Sequence, residues 1–377
     1  MKRFILIILL VFLMDFLAFN KLIYCDKVKI KSENGVTVIY NPKNPAPPLG
    51  IPTKLKLEEE LTIGEKEGRK EYMFTNIIFD VNCDGNIYVL DTRELHIKIF
   101  NKNGKFIRMI GSSGQGPGEF SSARFIQITP QKEIMVHDLY ARRLIFFSLD
   151  GKYLRQIPLT KIFMILLPKV NQKGNIIGNA IIRREKGLEL ALINFDPQKA
   201  KNIYIDKIKL PSSKYQGIFT PTFQWEVTKK NNLIYGISDN YELKIKNSEG
   251  KLIKRIIKEY KPIEILEEDK KRIIKEIFGK ERIPPGEKIE FPKYFPVFWN
   301  ISSDEDGRIF VGTYEKEKNK KNHYYFDVFD REGRYIAKIP LKIKPKQWFL
   351  WKNKKLYVVD ETEEGFPVIK CYKVIWR

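Results

Sequence analysis

The sequence of 377 residues predicts an all-β fold, a six-bladed β-propeller with four strands per blade. Two observations predict it. Short strand-like stretches dominate from residue 74 onward, and Asn-, Asp- and Gly-rich turns that favour tight hairpins separate them. In addition, an apolar pair follows a turn at intervals of about 45 residues where no insertion intervenes. The pairs are Ile87-Tyr88, Ile134-Met135, Ile176-Ile177, Ile234-Tyr235, Ile309-Phe310 and Leu356-Tyr357.

A second periodicity predicts how the ring closes. Ile63 precedes Ile87 by the same number of residues as Ile110 precedes Ile134. The stretch KLKLEEELTIG (54–64) therefore takes the position of the outermost strand of a blade, although it precedes the first full blade. The last unit, which ends GFPVIKCYKVIWR, lacks such a strand. We predict that the N-terminal strand completes the sixth blade, because closure removes exposed sheet edges.

The wide interval before Ile309 indicates an insertion at residues 260–295. Its stretch EEDKKRIIKEIFGKERIPPGEK has the pattern of one amphipathic helix, near 265–280, followed by a proline-containing loop. With this insertion included, the propeller domain is predicted to span residues 54–377.

The N-terminus differs from the rest of the chain. In residues 1–24, Lys2 and Arg3 precede the apolar run FILIILLVFLM, which is typical of a signal peptide or an N-terminal anchor. Cys25 follows apolar residues as in a lipoprotein box, although Tyr24 stands where that box has a small residue, so Cys25 is a lipidation candidate. Residues 25–53 form a lead-in segment. We expect an exported protein, periplasmic or on the cell surface, either free or membrane-anchored.

The loop GSSGQGPGEF (111–120) has glycines at a spacing that phosphate-binding loops use. However, Pro117 and Gly118 stand where a Walker loop needs Lys and Ser or Thr. The dinucleotide fingerprint also fails, since a strand-like stretch follows instead of a helix. The sequence predicts a connection between two blades at this point, not a nucleotide site.

The stretch IGSSGQGPGEF, followed by a turn, an apolar pair and an Asp, resembles the NHL-repeat type of six-bladed propeller. It is most similar to exported bacterial propellers with a G-Q-G-P-G-E-F loop. The stretches at 35–45 and 324–341 also resemble that group, so the similarity covers residues 35–377. Blades three to five lack the glycine loop. The resemblance implies the fold and little about chemistry, although six-bladed lyases and hydrolases of related type carry metal ions in the central channel.

The sequence offers few metal ligands. Of three histidines only His137, in the stretch VHD, is expected near the channel, so a zinc site built on several histidines is not predicted. Four aspartates recur just after an apolar strand: Asp91, Asp138, Asp239 and Asp360. They either coordinate a channel calcium ion or accept backbone N–H groups of the following turn, and repetition favours the turn. Apart from that calcium ion, no cofactor is expected.

Aromatic residues cluster at 221–225 (PTFQW) and 291–299 (FPKYFPVFW), where they form either a binding surface or core between blades. Together with the glycine loop and the VHD stretch, they supply the candidate binding residues on a propeller face. These are Gln115, Glu119, Phe120, His137, Asp138, Trp225, Tyr294 and Trp299.

The first hypothesis for function is a binding or protein-interaction module of the cell envelope, a monomer that binds a protein, peptide or glycan. Two alternatives stay open. One is a metal-dependent hydrolase or lyase with its site in the channel. The other is a binder of anionic surface polymers, suggested by the net charge of +22, although the lysines are spread over the chain. Nucleic acid is not an expected partner of an exported protein.

Overall fold

The computed structural model of the chain describes residues 28–64, 68–160, 164–185, 187–210 and 219–377. The predicted signal peptide or anchor (1–24) and Cys25 lie outside the described residues. In the part that is described, no helix is long and apolar enough to cross a membrane, and Cys83 and Cys371 carry free thiols.

Strands make up nearly all regular structure. In chain order they are β1 (Lys29–Glu33), β2 (Val36–Asn41), β3 (Leu55–Ile63), β4 (Ile77–Val81), β5 (Ile87–Asp91), β6 (His96–Phe100), β7 (Phe106–Ile110), β8 (Ser112–Ser113), β9 (Glu119–Phe120), β10 (Ala123–Ile128), β11 (Glu133–Asp138), β12 (Arg143–Ser148), β13 (Tyr153–Pro158), β14 (Met164–Val170), β15 (Ile176–Arg184), β16 (Gly187–Asp196), β17 (Lys201–Lys209), β18 (Phe223–Val227), β19 (Leu233–Ile237), β20 (Glu242–Lys246), β21 (Leu252–Lys258), β22 (Asn300–Ser303), β23 (Ile309–Lys316), β24 (Tyr324–Phe329), β25 (Tyr335–Leu341), β26 (Phe349–Lys352), β27 (Lys355–Glu361) and β28 (Pro367–Trp376).

These strands form the predicted six blades of four antiparallel strands. Blades 1 to 6 are, in order, β4–β7, β10–β13, β14–β17, β18–β21, β22–β25 and β26–β28 with β3. The first strands of neighbouring blades contact one another, as β4 does β10 and β18 does β22, so they lie innermost. The prediction that the N-terminal strand closes the ring is confirmed, because β3 pairs with β28 from Leu55 opposite Trp376 to Ile63 opposite Ile369.

Burial explains why the strand patterns differ within a blade. The second strand of blade 1, Ile87–Asp91, is buried at every residue, since neighbouring blades cover both of its faces. The outermost strand, Phe106–Ile110, is exposed at three consecutive residues along its middle, so both of its faces meet solvent there. The apolar pairs that reveal the repeat are therefore the fully covered second strands.

A ring of polar contacts joins the blades on one face. The turns between first and second strands all lie on this face, which we name the turn face, and each contacts the next blade. Around the ring these contacts are Asn353 Nδ2 to Asn82 O (2.9 Å), Ile128 N to Asp80 Oδ2 (2.6 Å), Gln131 Nε2 to Asn171 O (3.1 Å), Gln172 Nε2 to Lys229 O (2.8 Å), Lys229 Nζ to Glu305 Oε1 (3.7 Å) and Lys354 N to Glu305 Oε2 (3.1 Å). The opposite face carries the blade-to-blade connections, among them residues 111–122 and 259–299, and we name it the connection face.

Residues 28–64 form an N-terminal belt around blades 4, 5 and 6. Strands β1 and β2 make a hairpin through Asn34 and Gly35, both with positive φ as such two-residue turns require. Strand β2 then pairs in parallel with β21 of blade 4. The buried Asn41 links the belt to blade 5, since its amide donates to Gly333 O (3.0 Å) and accepts from Tyr335 N (2.7 Å).

The predicted helix in the insertion is confirmed as α1 (Glu267–Phe278), which ends at Gly279 in the left-handed conformation. Asp269 accepts from Leu266 N (3.3 Å) at the start of the helix and pairs with Lys316 Nζ of blade 5 (2.7 Å). Beneath the helix Phe295 stacks on Tyr314 at 4.5 Å between ring centroids. The insertion is thus packed on blade 5 by its own small core.

Candidate functional site

The glycine loop, residues 111–120, lies on the connection face between blades 1 and 2. Its interior is filled by the carboxylate of Glu119, which accepts from Gly116 N (2.8 Å). A Cβ on Gly114 would lie 2.0 Å from Glu119 Oε2, so a side chain there would displace this carboxylate. Gly114 N itself donates to Phe120 O (2.9 Å). The loop thus uses these amides internally, where a phosphate loop would present them to a ligand.

Gly111 allows the loop to pack against Phe120, which is fully buried. Gly111 has φ +76°, and a Cβ on it would lie 2.3 Å from the Phe120 ring. Gly174 is a matched control, since it has φ +78° and open space around its Cβ position. We expect Gly174→Ala to lower the free energy of unfolding by about 1–2 kcal/mol and Gly111→Ala by about 1–3 kcal/mol more, as measured by urea denaturation. Equal losses would contradict the packing described.

Asp138 holds the glycine loop on blade 2. It accepts from Ser122 N (2.6 Å) and pairs with Arg143 Nη2 (3.1 Å), and both groups are nearly buried. The Arg143 guanidinium also donates to the main-chain carbonyls of Glu119 (3.0 Å) and Gln115 (3.3 Å). The structure therefore brings these predicted residues together in a supporting network, which leaves the side chain of Gln115 exposed.

Asp91 has the equivalent position in blade 1. It accepts from Thr75 N (2.8 Å), Arg93 N (3.1 Å) and Glu94 N (3.2 Å). Burial opposes ionisation of this carboxyl, but these hydrogen bonds outweigh burial and lower its pKa. Asp91 and Asp138 thus serve backbone and arginine donors. Among the residues that the structure describes, no group of three or more His, Cys, Asp or Glu is arranged to hold a metal ion.

His137 lies in β11, opposite Phe125 and Leu144, and only 2% of its surface is exposed. Burial lowers its pKa to about 4, which outweighs the opposite effect of the neighbouring Asp138. The imidazole is therefore neutral at pH 7.

Trp225, Tyr294 and Trp299, three of the predicted binding residues, have different surroundings. Trp225 is half-buried beside Lys169, whose Nζ lies 5.6 Å from the ring centroid. Tyr294 is exposed on the insertion. Trp299 packs edge-on against Phe326 and donates from Nε1 to Thr313 O (2.9 Å). None of the three lines the pocket described next.

An open pocket lies on the connection face between blades 4 and 5. The belt, the two blades and the insertion all contribute to its walls. The lining residues are Lys43, Asn44, Tyr241, Lys258, Tyr260, Lys261, Pro262, Ile263, Phe295, Pro296, Val297, Thr313, Glu315, Asp327 and Lys338.

The floor of this pocket holds a buried ion pair. Lys258 Nζ lies 3.3 Å from Asp327 Oδ2, and the side chains are only 6% and 3% exposed. Asp327 also accepts from the hydroxyls of Tyr241 (2.7 Å) and Tyr335 (2.5 Å). The ammonium lies over both tyrosine rings, 4.8 and 4.7 Å from their centroids. Four polar or charged groups thus satisfy one another where neighbouring strands are apolar. We name these four residues the charged cluster.

Burial shapes the protonation of the charged cluster. It raises the pKa of Tyr241 and Tyr335 well above the ordinary value, and the Asp327 carboxylate raises both further. Burial also lowers the pKa of Lys258, although Asp327 opposes this effect. Both tyrosines therefore remain hydroxyl donors at neutral pH.

The rim of the pocket is basic. Lys338 pairs with Glu315 at 2.5 Å, and both side chains are partly exposed. Lys43 and Lys261 are exposed, and the described part of the chain gives neither an acidic partner within salt-bridge distance. Tyr260 adds a ring that is 39% exposed and lies 6.0 Å from the Tyr241 ring.

The sequence-based search for a site did not find this pocket. One signal was available: in YYFDVF (324–329) a carboxylate, Asp327, interrupts an otherwise apolar third strand. A buried strand carries such a group only when partners satisfy it. The partners, however, come from Tyr241 and Lys258, which no local spacing connects to Asp327.

Comparison with known proteins agrees with the fold. A family model, DUF5128, described as a 6-bladed beta-propeller, matches residues 70–173. No curated protein matches the chain in sequence. This match supports the propeller, while the NHL-repeat type remains a resemblance.

Two solved structures are similar over most of their length. A Bacteroides fragilis protein provisionally described as exported has a TM-score of 0.54 and 14% identity, over 90% of this chain and 99% of its own. A member of the DUF4221 family from Bacteroides vulgatus has a TM-score of 0.51 and 15% identity, over 86% and 99%. Virginiamycin B lyase from Staphylococcus aureus is more distant, with a TM-score of 0.41 and 11% identity over 85% and 100%. At these identities the similarity shows the fold alone.

Proposed function

We propose that this protein is a binding module of the cell envelope and that it captures its ligand in the pocket between blades 4 and 5. The observation that carries the proposal is the charged cluster at the pocket floor. Burying an ion pair costs desolvation energy, and an apolar replacement of similar volume stabilises a fold as well or better. A buried pair that lines an open pocket is therefore better explained by recognition than by stability.

The two faces of the ring support this choice of surface. On the turn face the polar groups at the turns bond from blade to blade around the whole ring. On the connection face the belt and the insertion extend the walls around the pocket. A ligand on this face meets an exposed ring, Tyr260, and charged groups within one cavity. A monomeric, exported propeller that presents this face to a glycan, peptide or protein fits these features.

The test is a binding screen with variants matched by face. We expect envelope glycans or peptides to include a ligand that raises the melting temperature. Tyr260→Ala should weaken its binding about tenfold, because a partly exposed aromatic ring is a typical binding contact. Lys251→Ala, in an exposed turn of blade 4 on the opposite face, should leave affinity unchanged. Affinity that responds only to changes on the turn face would contradict the proposal, and so would turnover of the ligand.

A further inference from the structure

We infer that the pocket recognises an acidic sugar, a pyranose that carries a carboxylate. This inference rests on the proposed function and adds the chemical class of the ligand. It follows from the charge that the pocket leaves unbalanced, from the buried ammonium of Lys258 at its floor and from the residues that form its walls.

The charge balance of the walls is positive. Four lysines line the pocket but only two acidic residues, Glu315 and Asp327. Each of these acids already has its lysine, at 2.5 Å from Lys338 and 3.3 Å from Lys258. The remaining two lysines, Lys43 and Lys261, attract an anion into a cavity whose low-dielectric walls strengthen the field.

The second observation concerns the hydrogen-bond donors of the Lys258 ammonium. An ammonium has three N–H donors. The structure gives two of them partners, Asp327 Oδ2 at 3.3 Å and the Glu259 carbonyl at 3.2 Å. The ammonium also lies over the rings of Tyr241 and Tyr335, and its side chain lines the pocket. A ligand carboxylate that reaches this cation would add a charge-assisted hydrogen bond.

The walls favour a sugar over other anions. Tyr260, Pro262 and Pro296 supply apolar ring atoms against which the C–H face of a pyranose packs, and the exposed Asn44 is a polar group suited to hydroxyls. Arginine, the usual bidentate partner of phosphate, is not among the described lining residues. An extended peptide cannot pair with β21, the strand that leads into the pocket at Lys258, because β21 is already paired with β20 and β2.

The experiment compares two sugars that differ in one group. The two sugars are the methyl glycoside of galacturonic acid, with its carboxyl group unesterified, and methyl galactoside. Each is titrated into the whole protein, and binding is followed by calorimetry and NMR. We expect the acid to bind at least about tenfold more tightly, and its affinity to fall as salt is raised. Lys261→Gln and Lys43→Gln should each weaken binding of the acid about threefold or more and leave the affinity for the neutral sugar unchanged. Lys251→Gln, on the opposite face, should change neither.

Lys258→Met removes the buried donor and keeps the length of the side chain. If this variant folds, it should abolish binding of the acid; if it does not fold, the two rim variants still decide the question. Equal affinity for both sugars would overturn the recognition of charge but leave the binding function standing. If acetate or inorganic phosphate bound as tightly as the acidic sugar, the inference that the ligand is a sugar would be overturned. If another ligand bound with an affinity that neither Tyr260→Ala nor the lysine variants changed, the proposed function would be overturned too.

Discussion

Asp327→Asn is expected to lower the free energy of unfolding by about 3–5 kcal/mol, because it leaves the buried Lys258 ammonium without its counter-charge. The amide also turns one acceptor of the two tyrosine hydroxyls into a donor, so that Tyr241 or Tyr335 loses its hydrogen bond. Urea denaturation at pH 7 measures the loss. Combining the change with Lys258→Met should recover part of it, since the double variant no longer buries an unpaired charge.

Glu315→Gln is the matched control, because Glu315 pairs with Lys338 at the rim of the same pocket and both side chains are partly exposed. An exposed pair contributes little, so this change should stay within about 1 kcal/mol. If Asp327→Asn costs no more than Glu315→Gln, the charged cluster is not buried as described.

The second large effect is a dependence of stability on pH. His137 has its pKa lowered to about 4 in the folded protein, against 6.5 for an exposed imidazole. Between these values the unfolded chain binds the proton and the folded protein does not. The contribution of the neutral His137 imidazole to the free energy of unfolding is therefore complete above pH 6.5 and is lost as the pH falls toward 4. The loss amounts to about 3 kcal/mol at pH 4.

The measurement compares the free energy of unfolding at pH 7 and pH 4.5 in the wild type, His137→Gln and His323→Gln. His137→Gln should flatten the acid side of the curve more than His323→Gln does, because the His323 side chain is only partly buried. Other titrating groups, such as Asp91, contribute equally to all three proteins and cancel in the comparison. A wild-type slope that persists in His137→Gln would show that the imidazole is not held neutral by burial.

The fold was predictable because its signals are local and repeated. Turn residues with positive φ, such as those at Gly85 and Gly104, mark each hairpin, and fully covered second strands such as Ile87–Asp91 give an apolar pair in every blade. The helix Glu267–Phe278 is predicted by its own apolar periodicity and by Gly279, at which it ends. Even the closure by β3 was predictable, since Ile63 precedes Ile87 by as many residues as Ile110 precedes Ile134.

The pocket was not predictable in the same way. Lys43, Tyr241, Lys258 and Asp327 come from the belt and from two blades, and only the ring geometry brings them together. The glycine loop was the more visible feature, but its carboxylate, Glu119, bonds the loop's own amide. Conspicuous sequence motifs in a propeller report the turns that build it, whereas this pocket depends on residues that meet only across blades.

The pairing of β3 with β28 also governs when the chain can fold. Leu55 lies opposite Trp376, so this contact spans all six blades in sequence. The sixth sheet therefore cannot form until β28 has been synthesised. Contacts of this separation make folding slow, because a long loop must close before they form. The ring consequently stays open while the first five blades are synthesised, and it closes only once β28 is available to pair with β3.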